Sequence, residues 1–172
     1  MKTIKLLLIT LLFIAFYGNA DAQRRKERMQ RYSSTYNYEI QCIGVGNDGT
    51  KSAKVWSYGR NVKKAMYKIK KDAVAAAIFK GIPAGGGAAK TPAILTDVNA
   101  STTHAAFFKS FFKAGGPYLQ FVNLSDEAKP VGRNKIKMKG GYKIGMLVSI
   151  SYDDLRKYLE EKNIALSLNS GF

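Results

Sequence analysis

The sequence predicts an α+β fold, with a small antiparallel-containing sheet, two helices packed on one face of it and a C-terminal helix. Three patterns lead to this prediction. Residues 36–46 are rich in β-branched and aromatic side chains, residues 52–80 repeat apolar side chains every three or four positions, and residues 142–152 alternate apolar with mostly small or polar side chains. We expect strand 36–46 and hairpin 134–152 to join one sheet.

Residues 1–22 have the composition of a secretory signal peptide. A basic start, MKTIK, precedes the apolar run from Leu6 to Tyr17, and Ala20 and Ala22 supply the A-x-A pattern of a cleavage site. This run is too short to span a bilayer, which needs about twenty apolar residues. We therefore expect export to the periplasm or outer-membrane surface of a bacterium, with no transmembrane segment after cleavage.

The mature chain divides into a basic N-terminal arm, residues 23–35, and a single α+β domain, residues 36–172. The arm, QRRKERMQRYSST, has almost no apolar side chains to bury. Cys42 is the only cysteine, so no intrachain disulfide can form. In the first predicted strand, Tyr36 to Val45, it shares a face with Ile40. This favours a buried structural thiol over a reactive or intermolecular one.

The longest predicted helix runs from Ser52 to Lys80. Its apolar residues include Val55, Ile69 and Ala76, with basic residues on the other side, and Gly81 provides the usual stop. The run AVAAAIF near its end is built mostly from small side chains, which favours close packing against the sheet or another helix. The basic side is either a solvated face or a binding surface.

The Gly/Ala loop, IPAGGGAAKTPAI at residues 82–94, partly resembles a phosphate-binding loop. That motif, G-x-x-x-x-G-K-[ST], needs glycines where this chain has Ala84 and Ala89, and Pro92 follows Thr91. We therefore predict a flexible linker between two helices, which binds no nucleotide, and we expect no cofactor.

A second helix is predicted from Ser101 or Thr102, as its N-cap, to the stop at Gly115. Its stripe of phenylalanines is typical of a core-facing side. His104 is the only histidine of the chain, and no second metal-ligating residue lies near it in the sequence. We therefore expect no metal site there.

The hairpin 134–152 has two possible turns. A three-residue turn at residues 139–141 places Met138 opposite Tyr142 and Ile136 opposite Ile144, so the apolar side chains share one face. A two-residue turn formed by the two glycines mixes the faces. We therefore predict the three-residue turn.

The predicted turn creates an outer stripe of lysines, Lys135, Lys137 and Lys143, extended by Arg133 and Lys139. Like charges across a hairpin repel one another, and a nearby anion relieves this repulsion. The stripe is either an anion-binding surface or an ordinary solvated face.

The final predicted helix, DDLRKYLEEKN, begins with Asp153 as its cap, and Asp154 is favourable at its positive end. Capping explains this pair of acids without a catalytic role. Leu155, Tyr158 and Leu159 are predicted to face the core.

The chain resembles a family of small bacterial envelope proteins related to the N-terminal domain of the flagellar T-ring protein and its lipoprotein relatives. The resemblance covers roughly Tyr36 to Ile164. It is carried by the strand ending in G-x-G, the Ala-rich segment KAMYKIKKDAVAAAIF and the terminal strand leading into DLRKYLEEKNI. It implies an α+β assembly or scaffold component of the outer envelope without enzymatic activity. Unlike the lipoprotein members, this chain has no cysteine for lipid attachment.

The net charge of +16 predicts an acidic partner, since a basic exported protein attracts anionic surfaces. The candidates are an acidic protein surface in an outer-membrane complex, an anionic envelope polymer or extracellular nucleic acid; a homo-oligomer is also open. With one histidine, one cysteine and scattered acids, no catalytic set is apparent, so we predict a non-catalytic protein. The candidate partner-binding residues are Arg24, Arg25, Lys26, Arg28, Arg133, Lys135, Lys137, Lys139 and Lys143.

Overall fold

The structure is a computed structural model, and it describes residues 23–24, 38–46, 48–125 and 129–167. The predicted signal peptide and Arg25, Lys26 and Arg28 of the basic arm lie outside these ranges. The chain forms two compact units, residues 1–34 and 35–172. In the first unit, the described residues Gln23 and Arg24 are helical and exposed. The second unit contains the sheet and the helices described below.

Among the described residues, five antiparallel strands form one sheet, which confirms the α+β prediction. Their order is β1-β2-β5-β3, and β4 also pairs with β5. The central strand is therefore β5, which pairs with β2 from Tyr142 to Ser151 and with β4 and β3 on its other side. The strands are β1 Tyr38–Val45, β2 Thr50–Gly59, β3 Val122–Leu124, β4 Lys135–Met138 and β5 Gly141–Ser151.

The described part of the second unit also contains four α-helices and two short 3-10 helices. The α-helices are α1 Val62–Phe79, α2 Ala100–Thr103, α3 Ala105–Phe111 and α4 Tyr152–Glu161, and the 3-10 helices are Pro117–Phe121 and Gly132–Asn134. Within the described ranges, no helix has both the length and the apolar character needed to cross a membrane.

The prediction of a single helix from Ser52 to Lys80 is wrong in its first third, which is strand β2. Alternate residues of β2, including Ala53, Val55 and Ser57, are buried, which is the period of a strand. The helix begins only after Asn61, whose side chain accepts a hydrogen bond from the Lys64 amide at 2.8 Å. The apolar residues of this segment fit both periods, and pairing with β1 and β5 decides in favour of the strand.

The predicted hairpin register is also wrong. Met138 pairs with Gly141 and Ile136 with Lys143, so the turn has two residues, Lys139 and Gly140, and φ of Gly140 is +88°. A glycine in this left-handed conformation permits a two-residue turn. The hydrophobic core does not determine the register of β4, because this strand lies at the margin of the sheet and none of its residues is buried.

Two smaller predictions about helix starts are wrong. The second helix is interrupted at His104 and begins after Asn99, which makes no side-chain capping bond. Asp153 lies inside the first turn of α4, which begins after Ser151. Asp154 lies in the same turn, where its negative charge interacts favourably with the positive end of the helix dipole.

The core lies against one face of the sheet: α1 packs on β2 and β5, and α3 packs on α1 through Phe108 and Phe79. The small side chains of α1 from Ala73 to Ala77 are fully buried, and they let this helix approach β2 and β5 closely. A Cβ atom at Gly59 of β2 would lie only 2.5 Å from the Ala65 amide nitrogen of α1. Cys42 is buried in this core, as predicted. The phenylalanines of α3 pack with one another and with Tyr118, Phe121 and Tyr158.

The Gly/Ala loop is a paired and packed segment, which corrects its description as a simple flexible linker. Ile82 and Thr91 exchange two backbone hydrogen bonds of 2.9 Å. Gly85 and Ala88 pair in the same way around Gly86 and Gly87. Both central glycines have positive φ, +57° and +77°, as a type I′ hairpin turn requires. The loop turn is therefore built like a small hairpin.

Candidate functional site

The sheet has one face turned away from the helices, which we call the outer face. Residues directly opposite one another in a sheet share a face, so the pairing registers define its rows. The buried residues of the helices belong to one core cluster, and neither Trp56 nor Leu147 belongs to it. Leu147 is 46% exposed. The residues that form the outer face are Glu39, Gln41, Lys54, Trp56, Tyr58, Ile136, Lys143, Gly145 and Leu147.

Trp56 lies in the middle of the outer face, directly opposite Gly145 of β5. A Cβ atom at Gly145 would lie 2.8 to 2.9 Å from three carbons of the indole ring. The ring therefore lies against the β5 backbone, and it helps bury Gly145, which lies on the face turned away from the described helices. Only glycine leaves room for this arrangement.

Two lysine ammonium groups accompany the Trp56 ring. The Nζ atoms of Lys54 and Lys143 lie 5.0 and 5.2 Å from its centroid. The Lys143 Nζ also lies 5.8 Å from the centroid of Tyr58. These distances are within the range of cation–π attraction. The platform of Trp56 and Tyr58 therefore carries positive charge.

Glu39 of β1 connects the tyrosine and one of the lysines. Lys143 Nζ donates to both Glu39 carboxylate oxygens, at 2.7 and 2.8 Å, and the Tyr58 hydroxyl donates to Oε1 at 2.8 Å. The Lys143 hydrogen bond is the main cause that lowers the pKa of Glu39. Partial burial is the largest single effect on Lys143 and opposes its charging, but the hydrogen bond to Glu39 and the interactions with Tyr58 and Glu39 together raise the Lys143 pKa. Both groups are therefore held in their charged forms.

Of the predicted basic residues in the hairpin, Lys143 alone lies on the outer face. Lys135 and Lys137 pair with Ile144 and Tyr142, whose side chains point to the opposite face of β5, so the predicted stripe is divided between two faces. Lys135 lies with its Nζ 5.5 Å from the Tyr142 ring centroid. The two remaining members, Arg133 and Lys139, are exposed in the 3-10 helix before β4 and in the hairpin turn.

The sequence interpretation missed Lys54, Trp56 and Tyr58 because it assigned them to a helix. One signal in the sequence would have identified them. They alternate with Ala53, Val55 and Ser57, and a strand places such alternating sets on opposite faces. Glu39 was missed because its partners Tyr58 and Lys143 are distant in the sequence.

A second polar cluster lies inside the core. The Ser57 hydroxyl donates a hydrogen bond to Asp72 Oδ2, and Lys68 Nζ lies 3.1 Å from the same oxygen. Burial raises the pKa of Asp72 to about 6. Ser57 and Asp72 are completely buried, so the cluster joins α1 to β2 and does not present reactive groups to a substrate. Across the described ranges, no group of three or more His, Cys, Asp or Glu side chains is placed to hold a metal ion.

An open cleft of about 460 Å³ lies between the Gly/Ala loop and the ends of β1 and β2. Lys51 and Lys90 are among its lining residues. The backbone of Thr91 is paired with Ile82, so Lys90 and Thr91 do not open a helix as they would in a phosphate-binding loop.

Comparison with protein families, curated proteins and solved structures found no match to this chain.

Proposed function

We propose that the protein is an exported, non-catalytic component of the bacterial cell envelope that docks on an acidic partner in a larger periplasmic or outer-membrane assembly. The observation that carries the proposal is the outer face, where Trp56 and Leu147 lie outside the core beside the charged groups of Lys54 and Lys143. Apolar side chains ringed by polar ones are typical of docking surfaces.

The predicted signal peptide supports the location, and the resemblance to small envelope proteins supports a scaffold role. The charge of the chain supports an acidic partner, because a net charge of +16 favours association with anionic surfaces. Charge attraction brings the partner to the protein from a distance, and the apolar side chains of the outer face supply the contact area for docking.

The test is retention of the purified mature protein on envelopes isolated from its own source. Leu147→Asp places a carboxylate on the outer face, opposite Lys54, and we expect retention to fall roughly tenfold or more. The matched control is Val131→Asp, because Val131 is also an exposed apolar residue, 76% exposed, and lies outside that face. Circular dichroism verifies that both variants fold.

Equal retention of both folded variants and the unmodified protein would overturn the proposal that the outer face is the docking surface. A measurable hydrolytic or transfer activity that survives in Leu147→Asp would overturn its non-catalytic part.

A further inference from the structure

We propose that the outer face is a sugar-binding platform and that its ligand is an acidic polysaccharide, with a sugar ring seated on Trp56. This inference rests on the proposed function, since it names the ligand class for the same surface. Three features of the outer face carry it: an indole ring supported by the sheet, hydrogen-bonding groups one strand away, and a lysine that pairs with no carboxylate of the described residues.

The first feature is the support of the Trp56 ring. One side of the indole lies against the Gly145 backbone, as the 2.8 Å approach of a Cβ at that position requires. The Nζ atoms of Lys54 and Lys143 lie over the ring, 5.0 and 5.2 Å from its centroid, so a sugar that packs on the indole also meets these two ammonium groups. Sugar rings present rows of C–H groups, and these pack favourably on the electron-rich face of an aromatic ring.

The second feature is the set of polar groups beside the ring. Glu39 is directly opposite Trp56, and Gln41 is directly opposite Lys54. Neighbouring strands are about 4.8 Å apart, which is close to the width of one sugar ring. At that distance the Glu39 carboxylate can accept hydrogen bonds from sugar hydroxyls, the Lys54 ammonium can donate them, and the Gln41 amide can do both. These hydrogen bonds orient the ligand, which stacking on the ring alone does not.

The third feature is the charge balance of the platform. Glu39 neutralises Lys143 through two hydrogen bonds, whereas Lys54 makes no ion pair with any residue in the described ranges. Its ammonium group beside Trp56 therefore supplies a net positive charge. A polymer with one acidic group on or next to the stacked sugar matches this arrangement.

The same features disfavour single-stranded nucleic acid. Surfaces that bind its backbone combine a positively charged groove with successive stacking rings. Here only Trp56 is supported by the sheet backbone, and the second ring, Tyr58, is held by its hydroxyl to Glu39, so the face lacks a row of stacking rings.

Trp56 is the only tryptophan of the chain, so its fluorescence reports directly on the platform. The mature protein is titrated with polygalacturonate as the acidic probe, dextran as the neutral probe and oligo-deoxythymidine as the nucleic-acid probe. We expect polygalacturonate to change the Trp56 emission in a saturable manner, and dextran and oligo-deoxythymidine to bind at least tenfold more weakly.

Affinity electrophoresis in gels containing polygalacturonate tests the residues without requiring the tryptophan signal. We expect Trp56→Ala to lose roughly tenfold or more in affinity, and Lys54→Ala a fewfold. Lys137→Ala is the control, because it removes an exposed lysine from the other face of the hairpin, and it should bind as the unmodified protein does.

The outcomes separate the two proposals. Binding of dextran as tightly as polygalacturonate, preference for oligo-deoxythymidine, or equal loss in Lys54→Ala and Lys137→Ala would each overturn the acidic-polysaccharide inference. If no polysaccharide binds but Leu147→Asp still abolishes envelope retention, the inference fails while the docking function stands. If Leu147→Asp leaves envelope retention unchanged, the docking function fails.

Discussion

The Ser57 hydroxyl of β2 donates a hydrogen bond to the Asp72 carboxylate of α1, and neither residue has any solvent-exposed surface. Lys68, one turn earlier on α1, supplies the positive charge at 3.1 Å. A buried carboxylate is costly unless such partners compensate its lost hydration. The contact therefore fixes the position of α1 along the strand while leaving Asp72 with an unusual affinity for a proton.

Asp72 should make the chain less stable as the pH rises from about 4 to about 6. Burial raises its pKa from 3.8 to about 6, so the folded chain binds this proton more tightly than the unfolded chain does. The resulting stabilisation is complete below the unfolded-state pKa and is lost as the pH rises through the folded-state pKa. The loss is at most about 3 kcal/mol in the free energy of unfolding.

Urea unfolding of the unmodified protein and of Asp72→Asn across this pH range measures the effect. The asparagine still accepts the Ser57 hydrogen bond but does not titrate, so the difference between the two proteins should vary with pH. The control is Asp154→Asn, which changes an exposed acid of α4. Parallel curves for Asp72→Asn and the unmodified protein would show that Asp72 does not bind the additional proton.

Gly145→Ala should displace the Trp56 ring without unfolding the domain. The new Cβ would lie 2.8 Å from the indole carbons, so the ring must move away from the sheet into water. We expect a red-shifted emission and stronger acrylamide quenching of Trp56. Gly44→Ala is the control, because a Cβ there meets no atom within 4 Å. Unchanged quenching in Gly145→Ala would mean that the ring does not lie on the β5 backbone.

Gly86→Ala should destabilise the domain more than Gly87→Ala. Both residues have positive φ, which costs a non-glycine residue about 1 kcal/mol. A Cβ at Gly86 would in addition lie 1.9 Å from the Ile43 carbonyl oxygen, whereas one at Gly87 meets no atom within 4 Å. We expect a total loss of about 2 kcal/mol or more for Gly86→Ala, measured by urea unfolding. Equal losses of stability in Gly86→Ala and Gly87→Ala would show that Gly86 does not lie against the β1 backbone.

The signal-peptide prediction implies that the mature chain begins at Gln23. The A-x-A pattern at Ala20 and Ala22 predicts cleavage after Ala22, so mass spectrometry of the protein from the periplasmic and envelope fractions should find Gln23 as its first residue. Ala22→Arg should block cleavage and leave a longer chain at the membrane. Recovery of the unmodified protein in the cytoplasm with Met1 or Lys2 at its start would contradict export.

The sequence was sufficient for the fold class because its strongest patterns lie in the elements that build the core. The alternation of β5 and the Ala-rich part of α1 have one interpretation each, and both proved to be central. Residues 50–59 were misassigned because Val55 and Tyr58 fit a helical spacing as well as a strand, and only pairing with β1 and β5 distinguishes them. Such pairing is not a local property of the sequence.

The outer face was harder to predict than the core. Its residues come from β1, β2 and β5, so assigning one strand to a helix removed Lys54, Trp56 and Tyr58 from it. The register of β4 could not be predicted from its apolar residues, since that strand buries no residue and its turn is set by the conformation of Gly140. A one-residue change of register moved Lys135 and Lys137 to the other face.

The close approach of the Gly/Ala loop to β1 also protects the margin of the sheet. In the described sheet β1 pairs with β2 on one side only, and an open strand margin is a template on which other chains can add strands and aggregate. Gly85 and Gly86 bring the loop against the carbonyl groups of Cys42 and Ile43, where a foreign strand would otherwise form its hydrogen bonds. The glycines of this loop thus allow it to cover part of the β1 margin, so that a neighbouring chain finds no free strand to pair with there.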